Sequence, residues 1–280
     1  MSAPPARVLV TGASGQTGGA VARGLRERGV AVRTAGRGEL PGDHVAFDWL
    51  DASGHDRALD GVDAVYLVAP AFVADPAPVM VPFVERALAR GARRLVLLSA
   101  SAVPEGTPGL GVVHGVLRER VPGWTVLQPS WFMQNFFDRR HWLAASIARS
   151  GEIVTATGDG RVGFIDSDDI AAVAVQALVT PAREALRLTG PAALSYAEAA
   201  AVLAEALGRP VVHRPVPVDA FRARLAASGV PDAYASFLAT LDGQIAAGSE
   251  DIVTDAVARW TGRPPRSLAD LARERLARDG

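Results

Sequence analysis

Residues 8–19, VLVTGASGQTGG, constrain this chain more than any other stretch. The apolar run Val8-Leu9-Val10 gives way to Thr11 and to glycines at Gly12, Gly15 and Gly18. A helical pattern follows, with Val21 and Leu25 at i, i+4 and Gly29 where a helix should stop. That order predicts strand, tight turn, helix. A helix N-terminus leaves backbone N–H groups without partners, and glycines let an anion approach them with no side chain in the way, so the turn is expected to hold a pyrophosphate. The spacing is G-x-x-G-x-x-G where the better-known dinucleotide fingerprint is G-x-G-x-x-G, and an ordinary strand-to-helix turn is the alternative. The valine-rich strand before it and the helix after it favour the phosphate site.

Val30–Ala35 predicts a second strand ending in Gly36-Arg37-Gly38. At this strand end a dinucleotide fold places an acid against the ribose hydroxyls or an arginine against a 2′-phosphate. Arg37 and Arg33 stand here with Glu39 as the only nearby acid, which predicts NADP(H) in preference to NAD(H); a solvated loop arginine is the other reading. His44–Asp48 is a third short strand, and Asp48 could meet the adenine edge. Asp63–Pro70 and Arg94–Ser99 are continuous apolar runs, as parallel strands covered on both faces require, and Trp124–Gln128 is a sixth strand. With helices predicted over 76–90 and 110–120, the alternation gives an α/β fold: a doubly wound parallel sheet of Rossmann type, with ligands beyond the carboxyl ends of its strands. Residues 1–150 are expected to form this nucleotide-binding domain. Residues 151–280 are expected to form a smaller, mostly helical substrate region interleaved with it at the sheet edge. In that region Asp168 or Asp169 should cap a helix running from Ile170 to Val179, and Ser195 with Glu198 reads as a capping box.

Among 280 residues the formal net charge is −1 and arginines are mixed with acids, so no basic block exists to track nucleic acid. Cysteine is absent, which excludes disulfides, thiolate metal sites and a cysteine nucleophile; a reducing cytoplasm is the expected location, and no metal is expected. The start, Met1–Arg7, lacks the apolar core of a signal peptide, and no later segment is long and apolar enough to span a membrane, so the chain is expected to stay where it is made. Monomer and homodimer are both open. There is no lysine: all 29 basic residues are arginine.

The joint pattern of Thr11–Gly18, Leu97-Leu98-Ser99, Pro129–Asn135 and Phe164–Ile170 resembles the NmrA-like, atypical short-chain dehydrogenase/reductase family over nearly the whole chain. That family includes NAD(P)H-dependent quinone reductases, iminium-reducing festuclavine dehydrogenases of ergot-alkaloid pathways, and redox-sensing regulators. The resemblance implies that Gly12, Ser14, Gly15, Gln16, Thr17 and Gly18 hold the pyrophosphate and Arg37 the 2′-phosphate. It further implies that Asp48 lies near adenine, that Val68, Ala69 and Pro70 line the ribose side, and that Ser99 and the segment from Pro129 to Phe132 border the nicotinamide. Gln128 departs from the family, where an arginine commonly precedes the proline. The segment after Pro129 is the most aromatic of the chain, so Trp131, Phe132, Asn135 and Phe136 are candidates for a substrate wall, with core packing as the alternative.

Classical members of the wider superfamily protonate a carbonyl oxygen with a tyrosine whose pKa is lowered by a lysine four residues on. Without lysine that device cannot operate, and Tyr66, Tyr196 and Tyr234 fall outside its position. Candidate catalytic residues are His114, which shares a helix face with Arg118, and Ser99, with Asp166 and His141 weaker; a lone helix histidine is also an ordinary packing residue. Acceptors that need no strong acid fit best. The expected function is an NADP(H)-dependent reductase passing hydride to a small apolar or aromatic substrate, a quinone, enone or cyclic imine. A nucleotide sensor without turnover, or a non-redox isomerase or cyclase of secondary metabolism, is the alternative.

Overall fold

The computed structural model describes residues 5–71, 73 and 75–279, so Met1–Pro4 of the proline-rich start lie outside the described residues. In chain order the elements are β1 (Arg7–Thr11), α1 (Gln16–Glu27), β2 (Ala31–Gly36), β3 (His44–Ala46), α2 (His55–Leu59), β4 (Ala64–Val68), α3 (Ala77–Ala89), β5 (Arg94–Leu98), α4 (Leu110–Arg120) and β6 (Gly123–Pro129). There follow α5 (Trp142–Ser150), β7 (Glu152–Thr155), β8 (Arg161–Val162), α6 (Ser167–Val179), β9 (Arg183–Leu188), β10 (Leu194–Ser195), α7 (Tyr196–Leu207) and β11 (Val212–Pro215). Four helices close the chain: α8 (Val218–Ala227), α9 (Asp232–Ala246), α10 (Ala256–Thr261) and α11 (Leu268–Asp279).

Two compact units result, one of 1–129 with 168–187 and the other of 130–167 with 188–280. The sequence alone places one boundary near residue 150; by packing, the chain passes between units after residues 129, 167 and 187.

The first unit carries a seven-stranded sheet in the order β3-β2-β1-β4-β5-β6-β9. The pairings β2–β3, β1–β2, β1–β4, β4–β5 and β5–β6 are all parallel. This is the doubly wound sheet expected. Its strand order reverses between β1 and β4, and the connections leaving those two strands diverge there, which opens a crevice beyond their carboxyl ends. The apolar runs explain the layers: Leu9, Val65, Leu67, Leu95, Leu97 and Val126 face Met80, Phe83, Val84, Val113 and Leu117 of α3 and α4. Residues one step out of phase face the other side, because side chains alternate along a strand. There Gly24 of α1 lets that helix approach α6, a Cβ at Gly24 lying only 3.1 Å from Val175 Cγ2. Arg94, buried in β5, is held by the carbonyl oxygen of Leu178 at the end of α6.

The second unit has small sheets, β7 with β11 in parallel and β8 with β10 antiparallel. Its core gathers Met133, Phe136, Phe164, Tyr196 and Leu203. The capping box at α7 forms: Ser195 Oγ accepts from the Glu198 amide and Glu198 Oε2 from the Ser195 amide. Helix α6 begins at Ser167, earlier than the expected Ile170, so Asp168 and Asp169 sit inside its first turn. Carboxylates there complement the helix dipole. No helix among the described residues is long and apolar enough to cross a membrane.

Candidate active site

The turn after β1 is built by its glycines. Gly12 has φ +63°, and a Cβ on it would lie 3.0 Å from Val68 Cβ. A Cβ on Gly18 would lie 2.3 Å from the Gly12 carbonyl oxygen, so only glycine lets α1 start this close to the strand. The Gly15 amide donates to the Gly12 carbonyl and closes the turn. No side chain caps α1, and no acidic residue stands in its first turn. Its first amides therefore point outward with the positive end of the helix dipole, and Ser14, Gly15 and Gln16 are exposed at the rim while Thr17 and Gly18 are buried. A diphosphate can sit here without displacing any side chain.

Hydrogen bonds tie this turn to the end of β4. Thr11 Oγ1 donates to the Tyr66 carbonyl at 3.0 Å and accepts from the Val68 amide at 2.8 Å. Trp49 Nε1 donates to the Val68 carbonyl at 3.0 Å, and its ring packs on Phe47 and Phe83. Val68, Ala69 and Pro70, half-buried, thus border the turn on a fixed backbone. The sequence reading overlooked Trp49; an indole directly after a short strand, beside the residue assigned to adenine, was the available signal.

At the end of β2 the two arginines separate. Arg33 is engaged: Nε pairs with Asp43 Oδ1 at 3.1 Å, and Nη1 donates to the carbonyls of Asp60 at 2.8 Å and Arg57 at 3.2 Å. Arg37 is exposed and makes no hydrogen bond or ion pair among the described residues. Gly36 and Gly38 beside it have open space where a Cβ would point. Arg37 is the guanidinium able to meet a 2′-phosphate. Asp48 is exposed, with Oδ1 accepting from the Leu50 amide at 2.9 Å.

At the ends of β5 and β6, the Ser99 amide donates to the Leu127 carbonyl at 2.8 Å and the Ser101 amide to the Pro129 carbonyl at 2.9 Å. The Ser99 hydroxyl makes no hydrogen bond among the described residues and can donate to a ligand. Gln128, where the family commonly has arginine, spends its amide on the Val103 carbonyl at 3.1 Å. His114 is buried on α4 against the Trp124 ring, with Nε2 3.9 Å from Glu105 Oε2. Glu105 is bound more closely by Arg118, at 2.5 Å. Burial lowers the His114 pKa, against the raising effect of Glu105, so the imidazole is neutral near pH 7.

Residues 8–109 match the NAD dependent epimerase/dehydratase family. The chain is 46% identical over 270 residues to the uncharacterized oxidoreductase YesF of Bacillus subtilis, covering 95% of this chain and 93% of that one. It is 36% identical over 277 residues to an agroclavine dehydrogenase of Claviceps fusiformis, covering 94% and 95%. The chain belongs to the atypical short-chain dehydrogenase/reductase family. Its class of chemistry is therefore NAD(P)-linked oxidation and reduction. In fold it resembles the NADPH-dependent quinone oxidoreductase QOR2 of Escherichia coli, crystallised with NADPH, at 22% identity and TM-score 0.83 over 96% of this chain and 99% of that one.

In this short-chain dehydrogenase/reductase the second unit holds the remaining sequence candidates. Trp131 and Phe132 are half-buried and are fixed by pairing with Ile165, whose amide donates to the Trp131 carbonyl at 2.9 Å and whose carbonyl accepts from the Met133 amide at 2.9 Å. Asn135 is half-buried, its amide donating to the Phe132 carbonyl at 3.2 Å. Phe136 lies deeper: it is 4% exposed, edge-on to Phe164 and Tyr196, and so serves the core. Asp166 is fully buried. Its Oδ1 accepts from Gln134 Nε2 at 2.6 Å and its Oδ2 pairs with Arg266 at 3.0 Å, an arrangement that consumes the carboxylate in holding 134, 166 and 266 together. Breaking such a buried pair typically costs about 3–5 kcal/mol. His141 caps α5, Nδ1 accepting from the Leu143 amide at 3.2 Å, and burial lowers its pKa to about 4. Among the described residues no group of three or more His, Asp or Glu could hold a metal ion.

Proposed function

We propose that the chain is a cytoplasmic NADPH-dependent reductase of small cyclic iminium or conjugated acceptors such as quinones, working without a strong protein acid. The state of its proton donors carries this reading. No lysine exists to lower a tyrosine pKa, and burial raises the pKa of both Tyr66 and Tyr196. His114 is neutral and enclosed, and Asp166 is spent on Arg266. A simple ketone would become an alkoxide that needs a proton at once, whereas an iminium carbon accepts hydride and ends neutral.

NADPH, when bound, supplies the hydride. The amides of Thr17 and Gly18 bind its diphosphate, and Arg37 its 2′-phosphate by charge-assisted hydrogen bonds. The Ser99 hydroxyl has its proton free to steady the carboxamide or a delocalised acceptor oxygen. Trp131 and Phe132 supply the apolar wall; Phe136 supports them from the core. The likeness to an agroclavine dehydrogenase, and in fold to a quinone oxidoreductase, supports acceptors of this kind.

Steady-state oxidation of NADPH against a panel of cyclic iminium ions, quinones, enones and simple ketones tests the proposal. Iminium and quinone acceptors should turn over, with ketones slower by about 100-fold or more. Ketones reduced as fast as iminium ions would overturn it. NADPH binding without turnover of any acceptor would favour the nucleotide-sensing alternative.

A further inference from the structure

Tyr66 occupies an odd position for a hydroxyl. It is the middle residue of β4, fully buried, and its neighbours in phase along the sheet are apolar. Its side chain runs toward α1, where the Thr17 hydroxyl partly offsets the burial. Yet no hydrogen bond of full geometry closes onto the Tyr66 hydroxyl among the described residues. A buried hydroxyl left without a partner costs about 1–3 kcal/mol, and phenylalanine would fill the same volume without that penalty. Thr17 stands in the first turn of α1, beside the uncapped amides, with Gly18 next to it pressed against the Gly12 carbonyl. The unsatisfied hydroxyl and the uncapped amides of α1 therefore share one residue between them.

We propose that Tyr66 is a positioning residue for the cofactor diphosphate: when nucleotide binds, its hydroxyl donates to Thr17 Oγ1, which directs the Thr17 proton at a phosphate oxygen. This rests on the nucleotide reading of the turn given above. A hydroxyl can donate once and accept twice, so a donor behind Thr17 leaves its own proton only one useful direction. Chains of hydrogen bonds polarise one another, so the bond from Tyr66 strengthens the one Thr17 makes to phosphate. NADPH and NADH share the diphosphate, so both should feel Tyr66, unlike Arg37, which only the 2′-phosphate can meet.

The test compares the wild type with Tyr66→Phe, Thr17→Val, Thr17→Ser and the Phe/Val double variant. Nucleotide affinity is read by calorimetric titration, and the melting temperature is read without nucleotide. Tyr66→Phe should weaken NADPH and NADH alike by roughly 5- to 10-fold while the unliganded melting temperature stays level or rises. Thr17→Val should lose as much, Thr17→Ser should bind like the wild type, and the double variant should lose no more than either single one. Unchanged affinity in Tyr66→Phe, or additive losses in the double variant, would overturn the relay. So would Tyr66→Phe losing affinity only in step with a fallen melting temperature. A wild type that binds neither nucleotide would overturn the reading of the turn as well, which separates the two failures.

Discussion

Arg33 and Arg37 leave the same strand end, but Arg33 is held by Asp43 and two carbonyls while Arg37 faces solvent with no partner among the described residues. Sequence reading could name both and could not choose, because the choice lies in contacts with the 43 and 57–60 segments. Arg37→Ala should weaken NADPH by roughly 10- to 100-fold, the worth of a charge-assisted pair, and leave NADH unchanged; titration of both nucleotides checks it. Arg33→Ala should instead lower the melting temperature. The glycines were legible residue by residue, since a positive φ and a close backbone approach are what glycine alone permits. The Tyr66–Thr17 meeting was not, because it depends on α1 folding back over the sheet.

Helices in the second unit hang on buried titratable groups with opposite signs. Asp242 of α9 accepts from the Ala156 amide at 2.8 Å beside Tyr196, and burial pushes its pKa up to about 7. A raised carboxylate pKa means the folded chain keeps a proton that the unfolded chain releases. Its contribution is therefore full below about pH 4 and is lost as pH rises through about 7. Asp242→Asn should raise the melting temperature by a few degrees at about pH 8 and change it little at about pH 4. His141, the cap of α5, works the other way. Its pKa of about 4 means stability holds above the ordinary histidine range near pH 6.5 and falls as acid protonates the accepting nitrogen. His141→Asn, a stronger cap, should remove that acid loss in thermal melts across pH. Elements whose signal is local were readable, as the capping box of α7 and the α4 span show. β9 was not: REALRL is half charged and becomes a strand only by joining the sheet edge after β6. β11, exposed and ending in Pro215, takes its strand form from β7, far back in the chain.

At the scale of the whole molecule, the parallel sheet was written in continuous apolar runs and an interleaved second region was expected, while the residues at which the chain passes between the two units, 129, 167 and 187, were not legible, since they depend on which distant segments pack. Family membership makes the chain an NAD(P)-linked oxidoreductase. A ligand that binds only the folded chain stabilises it by about 2.7 kcal/mol at one hundred times its Kd, so NADPH should raise the melting temperature by roughly 5 °C and NADH at equal concentration by less. The claim everything else serves is that hydride passes to an acceptor without a protein proton in flight. The solvent deuterium effect on kcat for a cyclic iminium substrate, under conditions where chemistry limits the rate, measures this directly. The ratio should be about 1, in wild type and in His114→Asn alike. A ratio of about 2 or more that vanishes in His114→Asn or Ser99→Ala would contradict it.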